Sequence, residues 1–110
     1  PHLLGENKMQ KYLILQPKHS DIDDGTAYQI SRSNVEVIKE AWDNGNYRDA
    51  GIINADNLND VFQIGNIEHD KVEKLDKFYS ISCGDIIVDL STKIAHLVAP
   101  IGFKPIRIVK

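Results

Sequence analysis

The chain has one cysteine, Cys83, in 110 residues. That excludes an internal disulfide and any paired-cysteine metal site, and it predicts a reducing, cytoplasmic setting. Long apolar runs are also missing. The longest fall far short of the roughly 20 residues needed to span a bilayer, so no membrane partner is expected. The opening PHLLGENKMQ lacks the basic start and long apolar segment of a signal peptide. Residues 1–10 are therefore read as a flexible or foreign leader, and residues 11–110 as a single domain.

Catalytic spellings are equally scarce. No Gly-x-Ser-x-Gly elbow occurs, and no glycine-rich loop precedes a predicted helix, so neither serine-hydrolase chemistry nor a phosphate cradle is indicated. His19, His69 and His96 have no His or Cys neighbour at ligand spacing, which gives no expected metal and no expected cofactor. Asp21, Asp23, Asp24 and Gly25 suggest a calcium loop, but Gly25 falls one position early and Arg32 stands where the closing Glu belongs. Cys83 is expected to be a small buried filler. Asp85 and Asp89, four apart on one strand, lie about 13 Å from each other, too far to act on one atom.

Charge is present in quantity but unevenly placed. Between Ser20 and Asp76 there are 13 acidic and 5 basic residues, a net of −8, whereas residues 77–110 carry a net of +3. The acidic middle argues against direct nucleic-acid binding and favours a basic protein surface as partner.

Periodicity supplies the elements. Lys11–Gln16 is a continuous apolar run that predicts a buried strand ended by Pro17. Pro17–Ala27 is a polar loop, and Tyr28–Ile30 a short strand. Ser33 and Glu36 spell a capping box for a helix over Asn34–Asp43, with Trp42 as core anchor and Asn44-Gly45 as its stop. Tyr47–Ala55 reads as a strand. Asp56–Asn66 reads as a short helix capped by Asp56 and ended at Gly65. Glu68–Lys77 is an ordered loop or helical turn. Further strands follow in Ser80–Leu90, Ile94–Ala99 and Phe103–Val109. In these, Ile86, Val88 and Leu90 face opposite to Ile87 and Asp89, and Ile94, His96 and Val98 face opposite to Ala95, Leu97 and Ala99. Phe103 is expected beside Phe62. The result is an α+β domain, two helices packed on a mostly antiparallel sheet.

Three stretches carry a resemblance: Tyr47 to Phe62 with its Leu58…Val61-Phe62 helix, Ile81-Ser82-Cys83-Gly84-Asp85-Ile86-Ile87-Val88-Asp89, and Val98-Ala99-Pro100-Ile101-Gly102-Phe103. Together they resemble uncharacterised small proteins of phages and mobile elements, YodL-like in outline. Cys83 stands where that set commonly has Val. The resemblance implies a viral or mobile-element origin and no particular activity.

The functional expectation is a small phage-type accessory protein that binds a host or viral protein through Asp21, Asp23, Asp24, Asp43 and Asp49. Two alternatives stand beside it. One is a nucleotide or metabolite enzyme with its site at a subunit interface, marked by a pocket holding a buried carboxylate and a tyrosine. The other is an acidic inhibitor of a DNA-binding enzyme. A homo-oligomer is compatible with all three.

Overall fold

In a computed structural model, which describes residues 9–108, eight consecutive residues form the central strand, β1 (Gln10–Pro17). Tyr12 to Pro17 are all buried, and helices cover both faces of the sheet over Tyr12 to Leu15. That double cover is the physical reason for the unbroken Tyr12-Leu13-Ile14-Leu15 run.

The other elements are α1 (Asp24–Ser31), α2 (Val35–Asp43), β2 (Tyr47–Ala55), α3 (Leu58–Ile67), the two-residue β3 (Glu73–Lys74), β4 (Ile86–Asp89), β5 (Ile94–Val98) and β6 (Phe103–Ile106). Short 3-10 turns occupy His19–Asp21 and His69–Lys71. The strands form one six-stranded sheet in the order β3-β2-β1-β4-β5-β6, and every pairing is antiparallel. The domain is α+β, as the sequence predicts, with three α-helices among the described residues rather than two.

The added helix is α1. The predicted strand at Tyr28–Ile30 is its last turn, started by Asp23, whose carboxylate accepts from the Thr26 amide at 2.7 Å. Helices α1 and α2 cover one face, where Leu13, Leu15, Ile30, Ile38, Ile86 and Leu97 meet. Helix α3 covers the other, over Tyr12, Ile14, Ile53, Val61, Ile81 and Ile87. The facing pattern expected for β4 and β5 holds: Ile86 and Val88 join the first core, Ile87 and Val98 the second.

The caps are shifted from their expected positions. Asn34, not Ser33, caps α2, accepting from the Val37 amide at 3.4 Å. Ser33 is buried with φ at 60° and donates its hydroxyl to the Val98 carbonyl at 2.9 Å, tying the α1–α2 corner to β5. Asn57, not Asp56, caps α3 through the Asp60 amide at 2.9 Å. Gly65 lies inside α3, where Ile81 packs so closely that a Cβ would overlap it.

Other expectations are refined. Gly45, Gly84 and Gly102 all take positive φ at turns. Phe62 and Phe103 meet edge to face, ring centroids 6.3 Å apart. Strand character in the segment 80–90 is confined to β4, and Cys83 is half-buried rather than buried. Residues 68–77 form the 3-10 turn and β3. Of the expected leader, Gln10 already belongs to β1 and residues 1–8 lie outside the described residues, as does the Val109 end of the last strand.

Candidate functional site

Three concave regions gather polar side chains, and each is assembled from segments distant in sequence. The first is an acidic groove between the His19–Asp21 turn, α1 and α2. Asp21, Asp23 and Glu40 line it, with Gln29, Asn44 and Asn46, around an apolar floor of Ile22, Val37 and Ala41; its volume is about 460 Å³. Of the five acids singled out in the sequence, Asp21 and Asp23 are brought together here. Asp24, Asp43 and Asp49 are exposed but do not line the groove. Glu40, which no local motif marks, joins because α2 packs against α1. The Thr26 amide and hydroxyl hold the Asp23 carboxyl below its ordinary range, so it stays ionised.

The second region is an open cleft of about 480 Å³ on the α3 face. Its floor spans three neighbouring strands. Tyr12 of β1 sits directly across from Asp89 of β4, and His96 of β5 pairs with Ile87, two residues from Asp89. Asp56, Asn57 and Asn59 at the start of α3, with Gln10 and Phe103, form the walls. Burial pushes the Asp89 carboxyl up, but bonds to Oδ1 from the Ser91 hydroxyl (2.7 Å), Ser91 amide (2.9 Å) and Thr92 amide (3.4 Å) outweigh it and leave the group below its usual value. Burial draws His96 down, with Asp89 opposing, so the imidazole is neutral at pH 7. Burial and the charges of Asp89, Asp56 and Asp60 raise Tyr12, keeping its phenol protonated. The cleft thus holds an anion, a proton acceptor and a proton donor.

The third region lies where the segment between β3 and β4 crosses the end of β1. Gln16 donates from Nε2 to the Tyr79 carbonyl (2.8 Å) and to Asp85 Oδ2 (3.0 Å), and its Oε1 accepts from the Tyr79 amide (3.0 Å). The Ser82 amide also donates to Asp85 Oδ2 at 3.1 Å. Burial raises the Asp85 carboxyl to about 7, although the Ser82 and Gln16 bonds and the Arg48 charge pull the other way. Asp85 and Asp89, expected to share one face of a strand, stand in separate surroundings: Asp85 precedes β4 and is enclosed, while Asp89 opens into the cleft. Outside this network is a pocket of about 330 Å³ lined by Lys18, His19, Ser20, Arg48, Asp76, Lys77 and Tyr79.

Among the described residues no group of three or more His, Cys, Asp or Glu is placed to hold a metal ion, and no helix is long and apolar enough to cross a membrane. His19 borders the third region, His96 the second, and His69 lies against the Gly65 carbonyl and edge-on to Phe78. Comparison with protein families, with curated proteins and with solved structures gives no match for this chain.

Proposed function

We propose that this protein is a small accessory protein that works by binding another protein, and that it takes a basic segment of that partner in the acidic groove between α1 and α2. The observation that carries the reading is the convergence of Asp21, Asp23 and Glu40 on a groove floored by Ile22, Val37 and Ala41. A lysine or arginine presents an aliphatic stem and a cationic head, and this groove offers an apolar floor and an anionic rim to match. The phage-type origin implied by the resemblance and a cytoplasmic setting, host or otherwise, belong to the same proposal.

The test is fluorescence anisotropy with a labelled peptide alternating Lys and Leu, against its Glu-Leu counterpart. Amide shifts in NMR locate the contact. The expected result is binding of the basic peptide alone, weakened by salt and reduced at least about tenfold in the Asp21→Asn, Asp23→Asn, Glu40→Gln triple variant. Equal binding of both peptides, or shifts mapping away from the groove, would overturn the reading.

The cleft favours a second reading, an enzyme acting on a small polar molecule. A buried carboxylate and a tyrosine line one pocket there, with a neutral imidazole beside them, the grouping that acid–base chemistry needs. A thermal-shift screen with small metabolites separates the two readings. Stabilisation that is lost in His96→Asn supports the enzyme, and stabilisation of neither protein counts against it.

A further inference from the structure

The acidic groove and the cleft leave the pocket over Arg48 unused. In a chain whose middle is acidic, it collects Lys18 from just beyond β1, Arg48 from β2 and Lys77 from the crossing segment, with His19 at its edge. The cations are gathered about one ring. Arg48 Cζ lies 5.7 Å and Lys77 Nζ 5.5 Å from the Tyr79 centroid, and the His19 ring stands edge-on to it at 6.4 Å. Arg48 is held in place. Its side chain is 14% exposed, Nη1 donates to the Lys77 carbonyl, and the same nitrogen lies 3.7 Å from Asp76 Oδ2. Tyr79 is fixed in turn by the two backbone bonds to Gln16.

Counting Lys18, Arg48 and Lys77 against Asp76, the fixed charges lining the pocket leave a net of +2. A carboxylate would neutralise half of that; a phosphate monoester, carrying about −1.5 to −2 at neutral pH, matches it. The volume of about 330 Å³ suits a small molecule. A nucleic-acid strand would instead need a continued basic track, and the flanking sequence from Ser20 to Asp76 has a net charge of −8.

We propose that the Lys18–Arg48–Lys77 pocket binds the phosphate group of a small phosphate monoester. Arg48 is the pre-set fork, Lys77 and Lys18 are the mobile cations that close on the ligand, and Ser20 offers a hydroxyl at the rim. Asp76 pairs with Arg48 and opposes the incoming anion.

The experiment titrates the full chain, followed by amide shifts, with inorganic phosphate, glycerol phosphate, a nucleoside monophosphate and a phosphorylated oligonucleotide, and with chloride at matched ionic strength. Saturable shifts at Lys18, Ser20, Arg48, Lys77 and Tyr79 are expected with the monoesters and not with chloride. Equal affinity for inorganic phosphate and the esters assigns recognition to the phosphate alone, while tighter binding of one ester names the rest of the ligand. Lys77→Gln and Lys18→Gln, both changes at pocket-lining lysines, should each weaken binding several-fold, and Arg48→Gln at least about tenfold. Asp76→Asn should tighten it, which loss of structure could not do. Linear shifts shared with chloride, unchanged affinity in both lysine variants, or far tighter oligonucleotide binding with shifts spread beyond the pocket would each overturn the proposal.

Discussion

Gln16 and Asp85 lie 69 positions apart in sequence and share a buried hydrogen bond of 3.0 Å, Gln16 Nε2 donating to Asp85 Oδ2. That bond joins the end of the central strand to the turn that starts β4. The neighbouring Tyr47 hydroxyl adds a second anchor, donating to the Gly84 carbonyl at 2.6 Å. Burial raises Tyr47 well above its ordinary value, with the Asp85 charge adding to it, so this donor is permanent. The segment that supplies Lys77 and Tyr79 to one pocket is therefore held by an ionisable group enclosed in the fold.

The stability of the protein should fall as pH rises from about 4 to about 7, in so far as Asp85 governs it. Its carboxyl goes from the usual 3.8 to about 7 on folding, so the folded state keeps a proton that the unfolded chain releases across that interval. Each unit of the shift corresponds to about 1.4 kcal/mol, so the loss is a few kcal/mol and levels off above pH 7. In Asp85→Asn the amide oxygen can still accept from Gln16 and Ser82, and nothing ionises. Thermal melts should give matching Tm values near pH 4 and a higher Tm for the variant at about pH 8. Parallel curves would remove Asp85 from this role.

Gly84 and Gly102 both have positive φ, at 96° and 74°, but their surroundings differ. A Cβ on Gly84 would press on the Ile30 carbonyl oxygen and come within 2.6 Å of Ile30 Cγ2, whereas Gly102 has nothing within 4 Å. Gly102→Ala should cost about 1 kcal/mol, the strain of the left-handed backbone alone. Gly84→Ala adds displacement of α1 and should cost about 3 kcal/mol or more. Urea denaturation midpoints compare the two directly, and equal losses would contradict the packing argument.

The elements that were legible in the sequence are those whose burial is settled locally. Tyr47–Ala55 is β2 to the residue, and Ile38, Ala41 and Trp42 announce the buried face of α2 by their spacing. Helix α1 was hidden because only Ile30 of its residues is buried, so apolar periodicity is nearly silent over Asp24–Ser31. The signal that could have found it is the cap, Asp23 followed three residues later by Thr26. The sites were legible only in part for a related reason. Asp21 and Asp23 stand in an acidic run, but Glu40 reaches their groove through helix packing. Tyr12, Asp89 and His96 come from three strands whose pairing no local spacing encodes, and Lys18, Arg48 and Lys77 are likewise brought together only by the packing of β2 and the crossing segment against the end of β1.

Asp23 has two separable duties, capping α1 and contributing charge to the groove. Asp23→Ala removes both and should lower stability by about 1 kcal/mol. Asp23→Asn keeps an acceptor for the Thr26 amide, so stability should hold to within a few tenths of a kcal/mol while basic-peptide affinity falls. Paired denaturation and anisotropy measurements read the two effects separately. Equal destabilisation by both variants would show that charge, rather than the acceptor, supports the helix.

His96 reports on the cleft. Burial lowers its pKa below 6.5, and the Asp89 charge offsets part of that drop. Because the unfolded chain takes up a proton on this imidazole at higher pH than the folded one, His96 withdraws stability as pH falls below about 6.5. Asp89→Asn leaves an amide oxygen to accept from Ser91 and Thr92, so the turn after β4 should persist while the charge disappears. The imidazole titration followed by proton NMR should then move to still lower pH. If the imidazole served only as packing, removing a charge that does not reach it would leave the midpoint in place. A downward shift instead establishes that Asp89 acts on the imidazole across the cleft, which the acid–base reading requires.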